Sequence, residues 1–186
     1  MNYATIKKFD IANGPGVRVS LFVSGCRHKC KNCFNSEAWD FNYGEPFTND
    51  TLKELLEALD KDYIEGFSLL GGEPFEPENQ EGVYKILSAI KEKLPNKTVW
   101  CYTGFDFEKQ LLAGTVGDKQ LVFKNLSLID VLVDGKFVEE LKSLDLLFRG
   151  SSNQRIIDVK PSLEQGKAVW LDGVWKRTMG SGNIYE

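Results

Sequence analysis

The chain of 186 residues is long enough to bury a sizeable core and reads as a single soluble α/β unit with a short extension. Its net charge of −4 and pI near 5.2 exclude generic nucleic-acid binding, which wants a basic face. No run is long and apolar enough to span a bilayer, and the opening Met1-Asn2-Tyr3-Ala4-Thr5-Ile6-Lys7-Lys8 lacks the apolar stretch of a signal peptide, so a cytoplasmic protein with no nucleic-acid or membrane partner is expected.

In chain order, Val17-Arg18-Val19-Ser20-Leu21-Phe22-Val23 is apolar and β-branched and predicts a strand, with Ser24-Gly25 as the turn after it. The run Cys26-Arg27-His28-Lys29-Cys30-Lys31-Asn32-Cys33 then holds three of the four cysteines. Residues 35–47, rich in aromatic and turn residues, read as irregular. Leu52, Leu55, Leu56 and Leu59 recur at helical spacing, with Thr48 or Asn49 as the N-cap. Phe67-Ser68-Leu69-Leu70 predicts a short buried strand ended by Gly71-Gly72. Val83, Ile86, Leu87, Ile90 and Leu94 predict a second helix, stopped by Pro95-Asn96.

Thr98-Val99-Trp100-Cys101-Tyr102 follows as a strand, then a short helix over Phe107–Leu112 and a strand through Ile129-Asp130-Val131-Leu132-Val133, closed by Asp134-Gly135. Arg155-Ile156-Ile157-Asp158-Val159 is a further strand. Ala168-Val169-Trp170-Leu171 and Val174-Trp175-Lys176 flank Asp172-Gly173, a two-residue hairpin signal, and a mobile tail is expected over 178–186. This divides the chain into an α/β domain over 1–160 and a hairpin extension with its tail over 161–186. Alternating strands and helices predict a parallel sheet, whose strand ends share one edge. The cysteine loop, Gly71-Gly72-Glu73-Pro74, Thr103-Gly104 and Asp134-Gly135-Lys136 all follow such ends.

Three thiols on so short a loop suit a soft metal better than core packing. An iron–sulfur cluster with one iron left open, a zinc site completed by His28, and incidental thiols are the readings the spacing allows. Two glycines allow close backbone approach to a ligand, and Glu73 can accept from an ammonium. Asp134 and Lys136 sit on the same expected edge, where they serve a ligand's carboxylate or ribose or are turn residues. Arg27, Lys29 and Lys31 either tune such a centre and dock an acidic reductant or form a solvated basic face. Cys101, inside a strand, reads as a small buried hydrophobe, and His28 as a loop residue.

Cys-x3-Cys-x2-Cys followed by Gly-Gly-Glu-Pro resembles the radical S-adenosylmethionine (SAM) superfamily. Within it the chain resembles the branch that activates anaerobic ribonucleoside-triphosphate reductase, through Asn13-Gly14-Pro15-Gly16, Phe22-Val23-Ser24-Gly25-Cys26, Cys33-Phe34-Asn35, Trp100 with Thr103-Gly104-Phe105, Val133-Asp134-Gly135-Lys136-Phe137 and Arg149-Gly150-Ser151-Ser152-Asn153-Gln154. The resemblance implies an incomplete parallel (β/α) barrel. It makes Cys26, Cys30 and Cys33 the ligands of one 4Fe–4S cluster whose fourth iron is chelated by SAM. One electron then cleaves SAM to methionine and a 5′-deoxyadenosyl radical, which leaves a glycyl radical on the reductase.

Asn32 and Phe34 would lie along the cofactor, Asn35 would hydrogen-bond it, and Gly71, Gly72 and Glu73 would take its amine. The wider superfamily has an aromatic residue where this chain has Asn32, which bears on how the adenine is packed. Expected partners are the reductase and a flavodoxin- or ferredoxin-like electron donor. Asn13-Gly14-Pro15-Gly16 and Arg149 through Gln154 are candidates for partner contact. A pyruvate formate-lyase-type activase, a deazapurine-precursor enzyme and a non-catalytic zinc module are the alternatives.

Overall fold

The computed structural model describes residues 1–171. Seven strands form one open sheet in the order β3-β1-β2-β4-β5-β6-β7. These are β1 (Asn2–Asp10), β2 (Arg18–Val23), β3 (Glu45–Pro46), β4 (Gly66–Gly71), β5 (Thr98–Tyr102), β6 (Val131–Asp134) and β7 (Arg155–Asp158). The central β2, β4, β5 and β6 are parallel, while β1, β3 and β7 pair antiparallel at the two flanks. The parallel block puts the loops after β2, β4, β5 and β6 on one edge, as the alternation of elements predicts.

Among the described residues, four α-helices accompany the sheet: α1 (Asn49–Leu59), α2 (Pro77–Lys93), α3 (Lys119–Ser127) and α4 (Val159–Gln165). Thr48 is the N-cap of α1, its hydroxyl accepting from the Thr51 N–H in a reciprocal capping box. Pro77 starts α2, where its missing N–H costs nothing. Phe107–Leu112 is helical but wound as a π-helix, with Leu111, Ala113 and Thr115 donating to carbonyls five residues back.

Four elements, β1, β3, α3 and α4, have no counterpart in the sequence reading. β1 is a half-exposed strand whose apolar alternation is weak, and α3 buries only Val122, Asn125 and Leu126, too few apolar positions for a helical period to stand out. α4 crosses position 160, and Leu163 and Ala168 beyond it are packed against the main core. Trp170 bridges antiparallel to Ile157. Asp172-Gly173, the second hairpin arm and the 178–186 tail lie outside the described residues.

The central strands β2, β4, β5 and β6 are buried on both faces, but the faces differ chemically. Val19, Leu21, Val23, Phe67, Leu69, Val99, Cys101 and Leu132 join the helices in the main apolar core. Fully burying one such aliphatic side chain contributes about 1.5–3 kcal/mol. Residues one place along each strand point the other way. There Arg18, Ser20 and Ser68 are buried polar groups, with Trp100, Val131, Val133 and Ile156 as a small second cluster. That second, polar face carries the cavity.

Candidate functional site

The cysteine loop leaves β2 and is strapped by backbone bonds to a 3₁₀ turn over Ser36–Trp39, Gly25 N–H donating to the Ala38 carbonyl and Cys26 N–H to that of Trp39. From the other side it is held by the turn after β4. Gly72 N–H donates to the Val23 carbonyl at 2.7 Å and Glu73 N–H to that of Gly25 at 2.8 Å. A Cβ on Gly71 would lie 2.6 Å from the Val23 backbone, and one on Gly72 2.5 Å from the Gly25 oxygen. The glycine pair is therefore required by the close approach of the cysteine loop itself, before any ligand is considered. Asn79, buried in the first turn of α2, donates to the carbonyls of both Ser24 and Glu73 and ties the two loops together.

Glu73 is only 1% exposed, and its carboxylate is the hub of the strand-end edge. Oε1 accepts from Phe75 N–H at 2.9 Å and Thr103 Oγ1 at 2.8 Å; Oε2 accepts from Gly104 N–H at 2.7 Å and faces His28 Nε2 at 3.0 Å. A carboxylate offers about four acceptor sites, so these partners fill it. The His28 ring lies edge-on to Phe105, centroids 4.4 Å apart, and fills the space where a Cβ on Gly104 would fall. The part played by His28 was legible only in its being the sole histidine of the chain and lying between the clustered cysteines.

A cavity of about 440 Å³ opens on this edge, lined by Cys26, Cys30 and Cys33 and by Gly71, Gly72 and Glu73. Asn32, in the left-handed region at φ 55°, and Phe34, 85% exposed, also line it. Asn35 stands behind the loop and its buried Nδ2 has no hydrogen-bond partner among the described residues. Lys136 is exposed and close enough to Cys30 to favour its thiolate, without lining the cavity.

Asp134, expected beside a ligand's carboxylate or ribose, is instead drawn into an ion pair. It is 1% exposed, its Oδ1 accepts from Arg155 Nε at 2.9 Å, and its Oδ2 accepts from a terminal Arg155 nitrogen at 2.5 Å and from Phe107 N–H at 2.8 Å. Asp106, Glu108 and Asp134 do converge like a cation site, but the Arg155 guanidinium supplies the positive charge there.

Burial pushes the Cys26 thiol up to about 11 and the Cys30 thiol above its ordinary value, while Cys101, fully buried, lies well above it. A metal deprotonates a coordinating thiol outright, so coordination is the means of holding Cys26 as a thiolate at neutral pH. Three thiols in Cys-x3-Cys-x2-Cys spacing on the wall of one open cavity fit a three-cysteine 4Fe–4S cluster. Cys101 sits in the helix-facing core and does not line the cavity.

The partner-contact candidates are also placed. Asn13 lines the cavity, and Gly14 is packed against Arg18 and Trp100. Gln154 and Asn153 are spent on structure, their amides donating to the Gly135 and Lys136 carbonyls. Arg27 is paired with Glu76 and Glu78 in the first turn of α2, not free in solvent.

Residues 12–157 match the family model of a 4Fe-4S single cluster domain. The chain is 41% identical over 178 residues to the anaerobic ribonucleoside-triphosphate reductase-activating protein of Enterobacteria phage T4, covering 95% of this chain and 99% of the relative. The chain belongs to this family of reductase-activating proteins. The Escherichia coli K12 protein of the same name is 42% identical over 156 residues, 83% of this chain and 96% of the relative. That of Vibrio cholerae is 38% identical over 158 residues, 84% and 97% respectively. Family membership and the spaced thiols point to the same centre, an iron–sulfur cluster.

Proposed function

We propose that the chain is the radical SAM activase of an anaerobic ribonucleoside-triphosphate reductase, generating a glycyl radical on that partner. The observation that carries this is the common cavity of the Cys26, Cys30 and Cys33 loop and the Gly71-Gly72-Glu73 turn in a member of the activating family. When bound, a three-cysteine 4Fe–4S cluster supplies one electron to SAM, which is cleaved to methionine and, with the hydrogen taken from a glycine Cα, 5′-deoxyadenosine. The remaining chemistry is done by positioning. Cys26, Cys30 and Cys33 hold the cluster, and the Asn79 and Glu73 ties keep their loop in place. Asn32 and Phe34, which line the cavity, would lie along the cofactor, and the Asn35 amide, unpartnered among the described residues, would hydrogen-bond it.

Because the Glu73 carboxylate is filled, the cofactor amine would fall to backbone carbonyls of the Gly71-Gly72 turn, with Glu73 fixing that turn. With Asp134 taken up by Arg155, Lys136 of the same turn is the charged residue left for the cofactor's carboxylate or ribose. The open sheet, with parallel strands in the middle and helices on one face, is read as an incomplete (β/α) barrel whose open side admits a protein segment. A flavodoxin- or ferredoxin-like protein is the proposed electron donor. No helix among the described residues is long and apolar enough to cross a membrane, and four unpaired cysteines agree with a reducing cytoplasm.

The test is anaerobic reconstitution with iron and sulfide. The expected result is a brown protein that cleaves SAM under dithionite and, mixed with the reductase, yields a glycyl radical by EPR. A colourless protein holding one zinc ion would refute it.

A further inference from the structure

The activase reading uses the wall of the cavity built by the cysteine loop and the end of β4. The opposite wall, built by the end of β5 and the segment leading into β7, is left without a task. Tyr102 ends β5 and lines the cavity, and its hydroxyl is buried with no hydrogen-bond partner among the described residues. Arg149 lines the cavity from the β7 side. One of its terminal nitrogens donates to the Gln154 carbonyl at 2.8 Å, yet its buried Nε–H has no partner among the described residues.

A buried donor left unpaired is costly, and native structures keep few of them. Arg Nε–H can only donate, and a phenol donates well. Whatever enters this side of the cavity is therefore expected to bring oxygen acceptors. Two oxygen-bearing reactants share the cavity in the activase reading. The cofactor is anchored at the cysteine loop, where Trp39 Nε1 and Asn35 Nδ2 also await acceptors. In the sheet, Tyr102 stands two strands from β2 and Arg149 leads into the edge strand β7. The peptide segment presents a carbonyl at every residue, and a glycine lets that backbone come close to a wall. The mouth itself is apolar and uncovered, with Leu144 84% and Phe34 85% exposed.

We infer that the Tyr102 hydroxyl and the Arg149 Nε–H hold backbone carbonyl oxygens of the reductase segment that enters the cavity, as positioning residues for its glycine. The inference rests on the activase reading and adds to it the wall that receives the second reactant. Neither residue takes part in bond making. Each fixes where the glycine Cα stands relative to the cofactor.

The test uses the reconstituted holoprotein and the Tyr102→Phe and Arg149→Met variants, which keep the bulk of the side chain and remove the donor. For each, 5′-deoxyadenosine formed under dithionite without reductase is compared with the glycyl radical formed with reductase. The expected result is a fall of about tenfold in glycyl radical per 5′-deoxyadenosine for each donor removed. A purely structural fault would lower both yields together and leave that ratio in place. Iron content and melting temperature show that each variant is folded, and either variant alone suffices for the ratio. An unchanged ratio, or a rise in the KM for SAM that is equal with and without reductase, overturns the inference and assigns the donors to the cofactor or to the scaffold. A wild-type protein that forms no glycyl radical refutes the activase reading instead, a separate outcome.

Discussion

The inner face of the sheet carries polar side chains at both ends of its strands, and the two ends are in opposite states. At the floor, Arg18 is fully buried and its guanidinium makes five hydrogen bonds. It donates to Ser68 Oγ, Pro15 O, Thr98 Oγ1, Phe67 O and Thr98 O, at 2.7–3.4 Å. Five N–H groups are all that arginine has. Burial pulls it down to about 10, still protonated at neutral pH. At the other end, Tyr102, Trp39 and Arg149 keep donors with no partner among the described residues. The saturated end builds the fold, holding Asn13-Gly14-Pro15-Gly16 across the base of the sheet. The open end receives reactants. Residue type does not separate the two, since both ends hold an arginine.

The largest effect expected is at the open end. Replacing Cys26, Cys30 or Cys33 by alanine should abolish SAM cleavage and cut retained iron, read by iron assay and visible absorbance. Cys101→Ala should keep both, because that thiol lies among the helix-facing core residues. Equal loss from Cys101→Ala would break the assignment of the centre to the cavity.

At the saturated end, Arg18→Met strands the acceptors of Ser68, Thr98 and Phe67. It should destabilise the protein by about 1–3 kcal/mol for each buried acceptor left unsatisfied, read by urea unfolding. Cleavage per folded molecule should survive. If cleavage fell while stability held, the floor would be part of the chemistry and the contrast would fail.

Glu73→Gln sharpens the contrast from between the two ends. The amide turns one acceptor oxygen into a donor facing N–H groups, and about 1–3 kcal/mol of stability should be lost. Calorimetry of the variant should show this, accompanied by weaker cluster retention, because the same carboxylate holds the Gly71-Gly72 turn against the cysteine loop. Full retention of iron would separate the two roles.

The smallest effect concerns Arg155, which should behave like the floor. Burial raises Asp134 above its ordinary value while Arg155 pulls it back, and Arg155 holds Glu108 below its own against burial. With Arg155→Leu the folded Asp134 rises further, so the unfolded chain ionises first and stability is lost as pH rises through the folded value. Glu108 loses its depression, so stability present above its unfolded value is no longer gained. The melting temperature of Arg155→Leu should therefore lag wild type more at pH 7.5 than at pH 4.5. A constant gap would mean that the ion pair is screened by solvent.

Much of this was legible along the chain because its causes are local. The period of Leu52, Leu55, Leu56 and Leu59 encodes α1, and the hydroxyl of Thr48 decides its cap over Asn49. Strands β2, β4, β5, β6 and β7 are apolar runs bounded by turn residues, with ends within two residues of those expected from sequence. β1, β3, α3 and α4 escaped because tertiary packing, not their own pattern, stabilises them. Within β2, the alternation of Arg18, Ser20 and Phe22 with Val19, Leu21 and Val23 carried a signal of two unlike faces. An apolar average over the strand hides it.

The sequence by itself determined the central strands, the helices α1 and α2 and the clustering of three thiols on one loop, since all depend on neighbours a few residues apart. The tertiary structure decided what each polar group does. Glu73 meets His28, 45 positions earlier, and Thr103, 30 later; Asp134 meets Arg155, 21 later. No local pattern encodes such partnerships, because they exist only where the parallel strands bring their ends together. The same crossing of chain segments saturates Arg18 and leaves Tyr102 open, and so separates the part of the inner face that supports from the part that binds.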